Sequence, residues 1–138
     1  MVNLAELNRT RHSAARIRKE IRHAETIIKN ITADPYVMLR NKRKYSKVKD
    51  AADRLAILNE QYADTLRQIE HVKPELEEMF CTIDDPDRRA VMRLVYLHGH
   101  KPELVAVVCG LTPRSVYYHM KSGKEELSSR FPDRFRIE

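Results

Sequence analysis

The sequence predicts an all-α protein: a long antiparallel helical hairpin at the N-terminus, followed by a small three-helix domain. Three observations carry that prediction. Only 3 of 138 residues are glycine while 33% are charged, a composition that favours helix over sheet. Two stretches repeat apolar residues at alternating spacings of three and four, the mark of a helical seam. The last third is then cut by Gly and Pro where short helices start and stop. These signals divide the chain into a coiled-coil-like hairpin over 1–83 and a compact domain over 84–138.

The first seam runs Leu7, Thr10, Ala14, Ile17, Ile21, Ala24, Ile28, Ile31. It describes one helix of roughly 28 residues, closed at Asp34-Pro35 because proline pushes the preceding residue out of helical geometry. The second runs Val48, Ala51, Leu55, Leu58, Tyr62, Thr65, Ile69, Val72. Two such helices with a short connection fold back on each other, and so narrow a seam calls for a partner helix or a second subunit. Leu76, Met79 and Ile83 keep the register beyond Pro74. Either the helix kinks at this proline or a new helix begins there. The acidic run Glu75, Glu77, Glu78 fits a helix start.

Further on, Asp85-Pro86 supplies an N-cap carboxylate and a proline at the first helical position. The helix that follows offers Ala90, Val91, Leu94, Val95 and Leu97 to a core, and His98-Gly99 closes it with a glycine cap. Lys101-Pro102 opens a short helix ending at Cys109. Gly110 then suits a left-handed turn, Ala106 is small where two helices approach, and Leu111 points into the core. Thr112 caps a last helix that begins at Pro113 and is anchored by Val116. The pattern is that of a helix-turn-helix, and residues 85 to about 130 form a three-helix unit.

The last helix carries Arg114, Tyr117, Tyr118 and Lys121, with no acid until Glu125. Val116 and Met120 define its buried stripe, so several of these must face outward. A basic outward face on the second helix of such a motif is what enters a DNA major groove. The alternatives are a solvated charge for Arg114 and packing against the preceding helix for Tyr117. Charge distribution points the same way. Residues 1–50 hold 13 Lys/Arg against 5 Asp/Glu, and residues 51–100 hold 6 against 10, so the N-terminal half is basic enough to attract a polyanion. Six of the ten residues from Arg40 to Lys49 are basic. In that connection Arg40, Lys42, Arg43, Lys44 and Lys47 are candidate auxiliary phosphate contacts; a merely solvated basic loop is the alternative.

Other chemistries find less support. Cys81 and Cys109 share no metal-ligand spacing, and reduced, buried thiols are expected. His98 and His100 lack a third ligand and suit a helix C-terminus instead. The longest apolar run, Leu104 to Cys109, is too short to span a bilayer, and the polar N-terminus does not read as a signal peptide. No catalytic grouping or nucleotide loop stands out, so the expectation is no enzyme, no cofactor, no metal and a cytoplasmic location.

The stretch from about Asp85 to Leu127, with its acidic start, RRAVMRLVYLHG and GLTPRSVYYHMKSGKEEL, resembles the fourth region of bacterial sigma factors. Placed after a basic helical half in a chain of this length, it is similar to phage late-gene transcription regulators of the RinA-like and ArpU-like type. The resemblance implies a DNA face of Thr112, Arg114, Ser115, Tyr117, Tyr118 and Lys121, joined by Lys124. Thr112 and Lys121 would meet phosphates, and Arg114 would meet a guanine. It departs from the family at Gly123, inside the recognition helix, where fraying or bending is expected, and around Lys101-Pro102-Glu103. Residues 1–83 have no Trp and only Tyr36, Tyr45, Tyr62 and Phe80 as aromatics, too few to trap unstacked promoter bases. The expectation is therefore a double-stranded DNA-binding activator acting with RNA polymerase, self-associating through its N-terminal helices. The alternatives are a small terminase subunit that recognises viral DNA for packaging, and a helical adaptor that binds only protein.

Overall fold

The computed structural model describes residues 1–137, and for 37–39 the backbone course alone; Glu138, the last residue of the expected second domain, lies outside the described residues. Among the described residues the fold is all-α apart from two strands of two residues each. In order the elements are β1 (Val2–Asn3), α1 (Leu4–Thr32), α2 (Pro35–Arg40), α3 (Lys42–Phe80), α4 (Pro86–Met92), α5 (Pro102–Cys109), α6 (Pro113–Arg130) and β2 (Phe135–Arg136). A π-helical turn, Arg93–Leu97, prolongs α4. The compact units divide at Gln68–Ile69 and not at 83–84. One unit is Thr10–Gln68, and the other joins Met1–Arg9 to Ile69–Glu138.

In the unit Thr10–Gln68, α1 and α3 lie side by side, with Arg54 donating to Glu20 at 3.3 Å. Every seam position of this unit is buried or half-buried. Among its described residues, Ala14, Ile21, Ala24, Ala51 and Leu58 are buried. Three of these five are alanines, so the seam removes little apolar area from water. Asp34 caps the break after α1, its carboxylate accepting from the Tyr36 backbone N–H at 3.0 Å, and α2 follows where a bare connection was expected.

The second unit holds the dense core. The twelve largest fully buried side chains all belong to it, among them Phe80, Phe135, Leu4, Leu76, Met79 and Ile83. Helix α3 runs on through Pro74, which resolves the open alternative at that residue. The proline is exposed, and so is Glu70, whose carbonyl loses its donor, so water can replace the missing bond. Continuity carries Leu76, Met79 and Phe80 into the core in the register begun at Val48, and this is why the unit boundary falls before residue 83. Glu75, Glu77 and Glu78 therefore start no helix. Glu75 and Glu78 accept from Arg134 at 3.3 and 3.5 Å, and Glu77 accepts from Arg93 at 2.7 Å. The termini meet in a parallel pair, Val2 opposite Phe135 and Asn3 opposite Arg136, with both apolar members buried.

Helix α4 begins as its sequence dictates. Asp85 accepts from the Asp87 and Arg88 backbone N–H groups at 3.0 and 3.3 Å. The Arg88 bond foremost, opposed by desolvation and then helped by the Asp87 bond and the nearby His119 and Arg88 charges, holds its carboxyl below the ordinary value. The helix packs on both faces. Val91 joins Val105, Ala106 and Val116 in one cluster, flanked by Leu94 and Val95. On the other face Tyr96 lies 6.5 Å from the Phe80 ring, and burial pushes its phenol up to about 12. The wide turn that closes through the His98 N–H and the Arg93 carbonyl, 3.1 Å, accompanies this two-sided burial. Gly99 follows with φ 70°, as the glycine cap requires.

The cysteines depart from expectation. Both are free, but Cys81 is exposed and Cys109 only half-buried. Cys81 comes directly after Phe80, where the chain leaves α3, and its neighbours Phe80 and Ile83 take the core positions.

Candidate nucleic-acid interface

The join between α5 and α6 is built by two residues. Gly110 takes φ 67°, ψ 31°, the left-handed conformation that glycine adopts without steric cost. The next amide, Leu111, donates to the Ala106 carbonyl at 2.9 Å, the six-to-one bond of a Schellman stop. One residue later the Thr112 hydroxyl oxygen accepts from the Ser115 N–H at 3.1 Å and Pro113 opens α6. Stop and start therefore occupy three residues. Buried Ala106 and Val116 hold the two helices together, with Leu111 and Met120 half-buried against them.

The buried stripe of α6 is Val116, Gly123 and Leu127. The helix runs unbroken through Gly123 to Arg130, so the expected fraying does not occur. A Cβ at this position would stand 2.6 Å from the Met92 sulfur, so the glycine is what lets α6 lie against α4. Arg88 of α4 adds an ion pair to Glu126 at 3.3 Å, and Glu126 also accepts from Arg130 at 3.0 Å. Arg130 in turn reaches the Thr82 hydroxyl at 2.8 Å.

Opposite that stripe, at about 100° per residue, Arg114, Tyr118 and Lys121 share one face of α6, and all three are exposed. Glu125 ends the stripe one turn later. The other expected residues are placed differently. Thr112 is exposed at the start of the helix, and its capping role leaves the hydroxyl hydrogen free to donate. Ser115 is half-buried on one flank. Tyr117 and Lys124 lie on the other flank, toward α5. There the Tyr117 hydroxyl donates to Glu103 at 3.1 Å, and this bond and the Glu103 charge raise its pKa. Packing against the preceding helix, the alternative for Tyr117, thus describes its hydroxyl, while its ring stays half exposed.

Sequence reasoning missed the outer face of α5. Leu104, Val107 and Val108 are exposed, Val107 at 79%. The signal was present, because six consecutive apolar residues cannot all face inward on a helix of eight. His98 and His100 are exposed with rings stacked 6.2 Å apart, and no group of His, Cys, Asp and Glu among the described residues could hold a metal ion. No helix among them is long and apolar enough to cross a membrane.

Neither a family model, nor a curated protein, nor a solved structure matches this chain.

The second basic surface differs from the expected connection. Only Arg40 and Asn41 precede α3; Lys42, Arg43, Lys44 and Lys47 occupy its first two turns, and all are exposed. Asn41 caps the helix, its side-chain oxygen accepting from the Arg43 and Lys44 N–H groups at 3.1 and 3.3 Å. No acid lies in this first turn. Cations at the positive end of a helix repel its dipole, so the arrangement is unfavourable alone and is relieved by an anion. A concavity lined by Tyr36, Arg40, Asn41, Lys42 and Arg43, with Asp34 the one acid in its lining, opens beside it.

Proposed function

We propose that this chain is a sequence-specific double-stranded DNA-binding transcription regulator, a phage late-gene activator acting with the host RNA polymerase in the bacterial cytoplasm, and not an enzyme. The observation that carries the reading is the outward stripe Arg114, Tyr118 and Lys121 on a helix that starts three residues after the preceding one stops. A helix docked this way presents its first turns to base edges, where Arg114 can give guanine two hydrogen bonds. Thr112 and Lys121 contact phosphates, and Tyr118 packs on a thymine methyl or donates to a phosphate. Tyr117, tied to Glu103, fixes α6 on α5 and offers DNA its ring; Ser115 and Lys124 border the face.

In this reading the chain is a helix-turn-helix domain carried after an antiparallel helical hairpin. The basic start of α3 adds sequence-independent, salt-sensitive affinity through Arg40, Lys42, Arg43, Lys44 and Lys47. The hairpin serves self-association, which its thin core of alanines favours. A small terminase subunit would use the same DNA face, and a native mass corresponding to a ring of many subunits would favour it. The exposed Leu104, Val107 and Val108 favour a helical adaptor that binds only protein, and such a chain would have no salt-sensitive affinity for DNA.

Selection of bound sequences from random duplex DNA tests the proposal. Enrichment of one site is the expected result. Recovery of unenriched DNA, or of none, would sink it.

A further inference from the structure

The unit Thr10–Gln68 is divided by charge. At about 100° per residue, Asp50, Asp53, Ile57, Glu60 and Asp64 fall on one exposed face of α3. Among the described residues Asp50, Asp53 and Glu60 have no ion pair, while Asp64 pairs with Arg67. In the middle of this acidic stripe Ile57 stands 58% exposed, an apolar knob with nothing covering it.

Beside it in the same unit a groove of about 520 Å³ opens between α1 and α3. Its floor is Ala24, Ile27 and Ala51, small or apolar, and its rim carries Arg16, Lys19, Glu20 and His23 on α1 and Arg54 on α3. Glu20 is already paired with Arg54 at 3.3 Å, while Arg16, Lys19 and His23 are exposed and make no ion pair among the described residues. On α3 the groove edge, Ala51 and Arg54, is continuous with the stripe of Ile57. Knob and groove therefore lie on one side of the unit.

A surface carrying both halves of a complementary pair on one side is self-complementary under a two-fold axis. We infer that a second copy of this chain docks here, each copy seating Ile57 in the other's Ala24–Ala51 groove. The carboxylates of one α3 then face Arg16, Lys19 and His23 of the other α1. Two of the three floor residues are alanine, which leaves room for a branched aliphatic side chain that a bulkier floor would exclude. This rests on the reading that the N-terminal helices self-associate and adds the surface they use. It is independent of what α6 recognises, since a monomer can still select a DNA site.

Sedimentation equilibrium of the full chain tests it, at low and at high salt. The wild type is expected to be a dimer that weakens with salt. Arg16→Glu with Lys19→Glu breaks both symmetric contacts, as does Asp53→Lys with Glu60→Lys. Each pair should weaken the dimer roughly 30-fold, four exposed ion pairs being lost, with helicity by circular dichroism unchanged. Mixing the two variants should restore a dimer, because the heterodimer again faces acid with base at both contacts. Ile57→Asn should weaken dimers without altering their salt dependence. A monomeric wild type overturns the inference. So does a dimer indifferent to both charge reversals, or reversed variants that fail to recover when mixed.

Discussion

Two glycines show how one residue type does different work. Gly110 has open space around its absent side chain but a left-handed backbone, so Gly110→Ala should cost about 1 kcal/mol through conformation alone, and Gly110→Asn less. Gly123 has ordinary helical geometry and would gain up to about 1 kcal/mol of propensity from alanine. Its Cβ, however, would enter the Met92 thioether, which is fully buried. The clash should win, leaving Gly123→Ala net destabilising by roughly 1 kcal/mol. Urea denaturation of both variants decides this, and a stabilised Gly123→Ala would refute the packing role. Asp85 predicts a pH dependence. Its folded pKa lies below the unfolded value near 3.8, so its contribution is complete above that value and is lost as pH falls through the lowered folded one. Asp85→Asn keeps a capping oxygen without the charge, so the stability difference between wild type and variant should shrink on going from pH 6 to pH 3. On the proposed DNA face, Arg114→Ala should cost roughly 1–3 kcal/mol on the selected site and relax preference at one base pair, measured by titration against matched and mismatched duplexes.

At the scale of elements, the seams were legible because burial on a long helix repeats locally. Each expected position from Leu7 to Ile31 and from Val48 to Val72 is buried or half-buried. The caps at Asp85, Gly99, Gly110 and Thr112 were legible for a similar reason, since each is decided within a few residues. What escaped depends on partners distant in sequence. Val2 pairs with Phe135 across almost the whole chain, and Met92 and Tyr96 are buried off the expected stripe because α4 has neighbours on two sides. The passage of α3 through Pro74 follows from the core that Leu76 and Phe80 enter, and nothing at the proline itself announces it. In the expected DNA face, outward orientation was legible for Arg114, Tyr118 and Lys121, and the Tyr117–Glu103 bond was not, because it joins two helices. The start of α3 carries its own prediction. Lys44→Ala should weaken binding to all duplexes about equally and reduce the steepness of its salt dependence by about one contacted phosphate. A loss confined to one sequence would move Lys44 from backbone contact to base readout.

At the scale of the whole molecule the two compact units differ in what holds them. All twelve of the largest fully buried side chains lie in the unit formed by Met1–Arg9 and Ile69–Glu138, whereas among the described residues of Thr10–Gln68 those buried are three alanines, Ile21 and Leu58. A buried aliphatic or aromatic side chain contributes on the order of 1.5–3 kcal/mol relative to exposure, and alanine far less. Residues of Thr10–Gln68 should therefore open at a lower free energy than the unit that carries α4, α5 and α6. Native-state hydrogen exchange at low protein concentration measures this directly. Amides of residues 12–30 and 46–66 should exchange well before those around Val91, Val116 and Leu127. Uniform protection along the chain would contradict the difference in packing. Raising the protein concentration adds a second reading of the same experiment. If a second copy seats on the hairpin, mass action stabilises that unit specifically. Protection should then climb there while the amides of α4 and α6, already limited by their own core, change less.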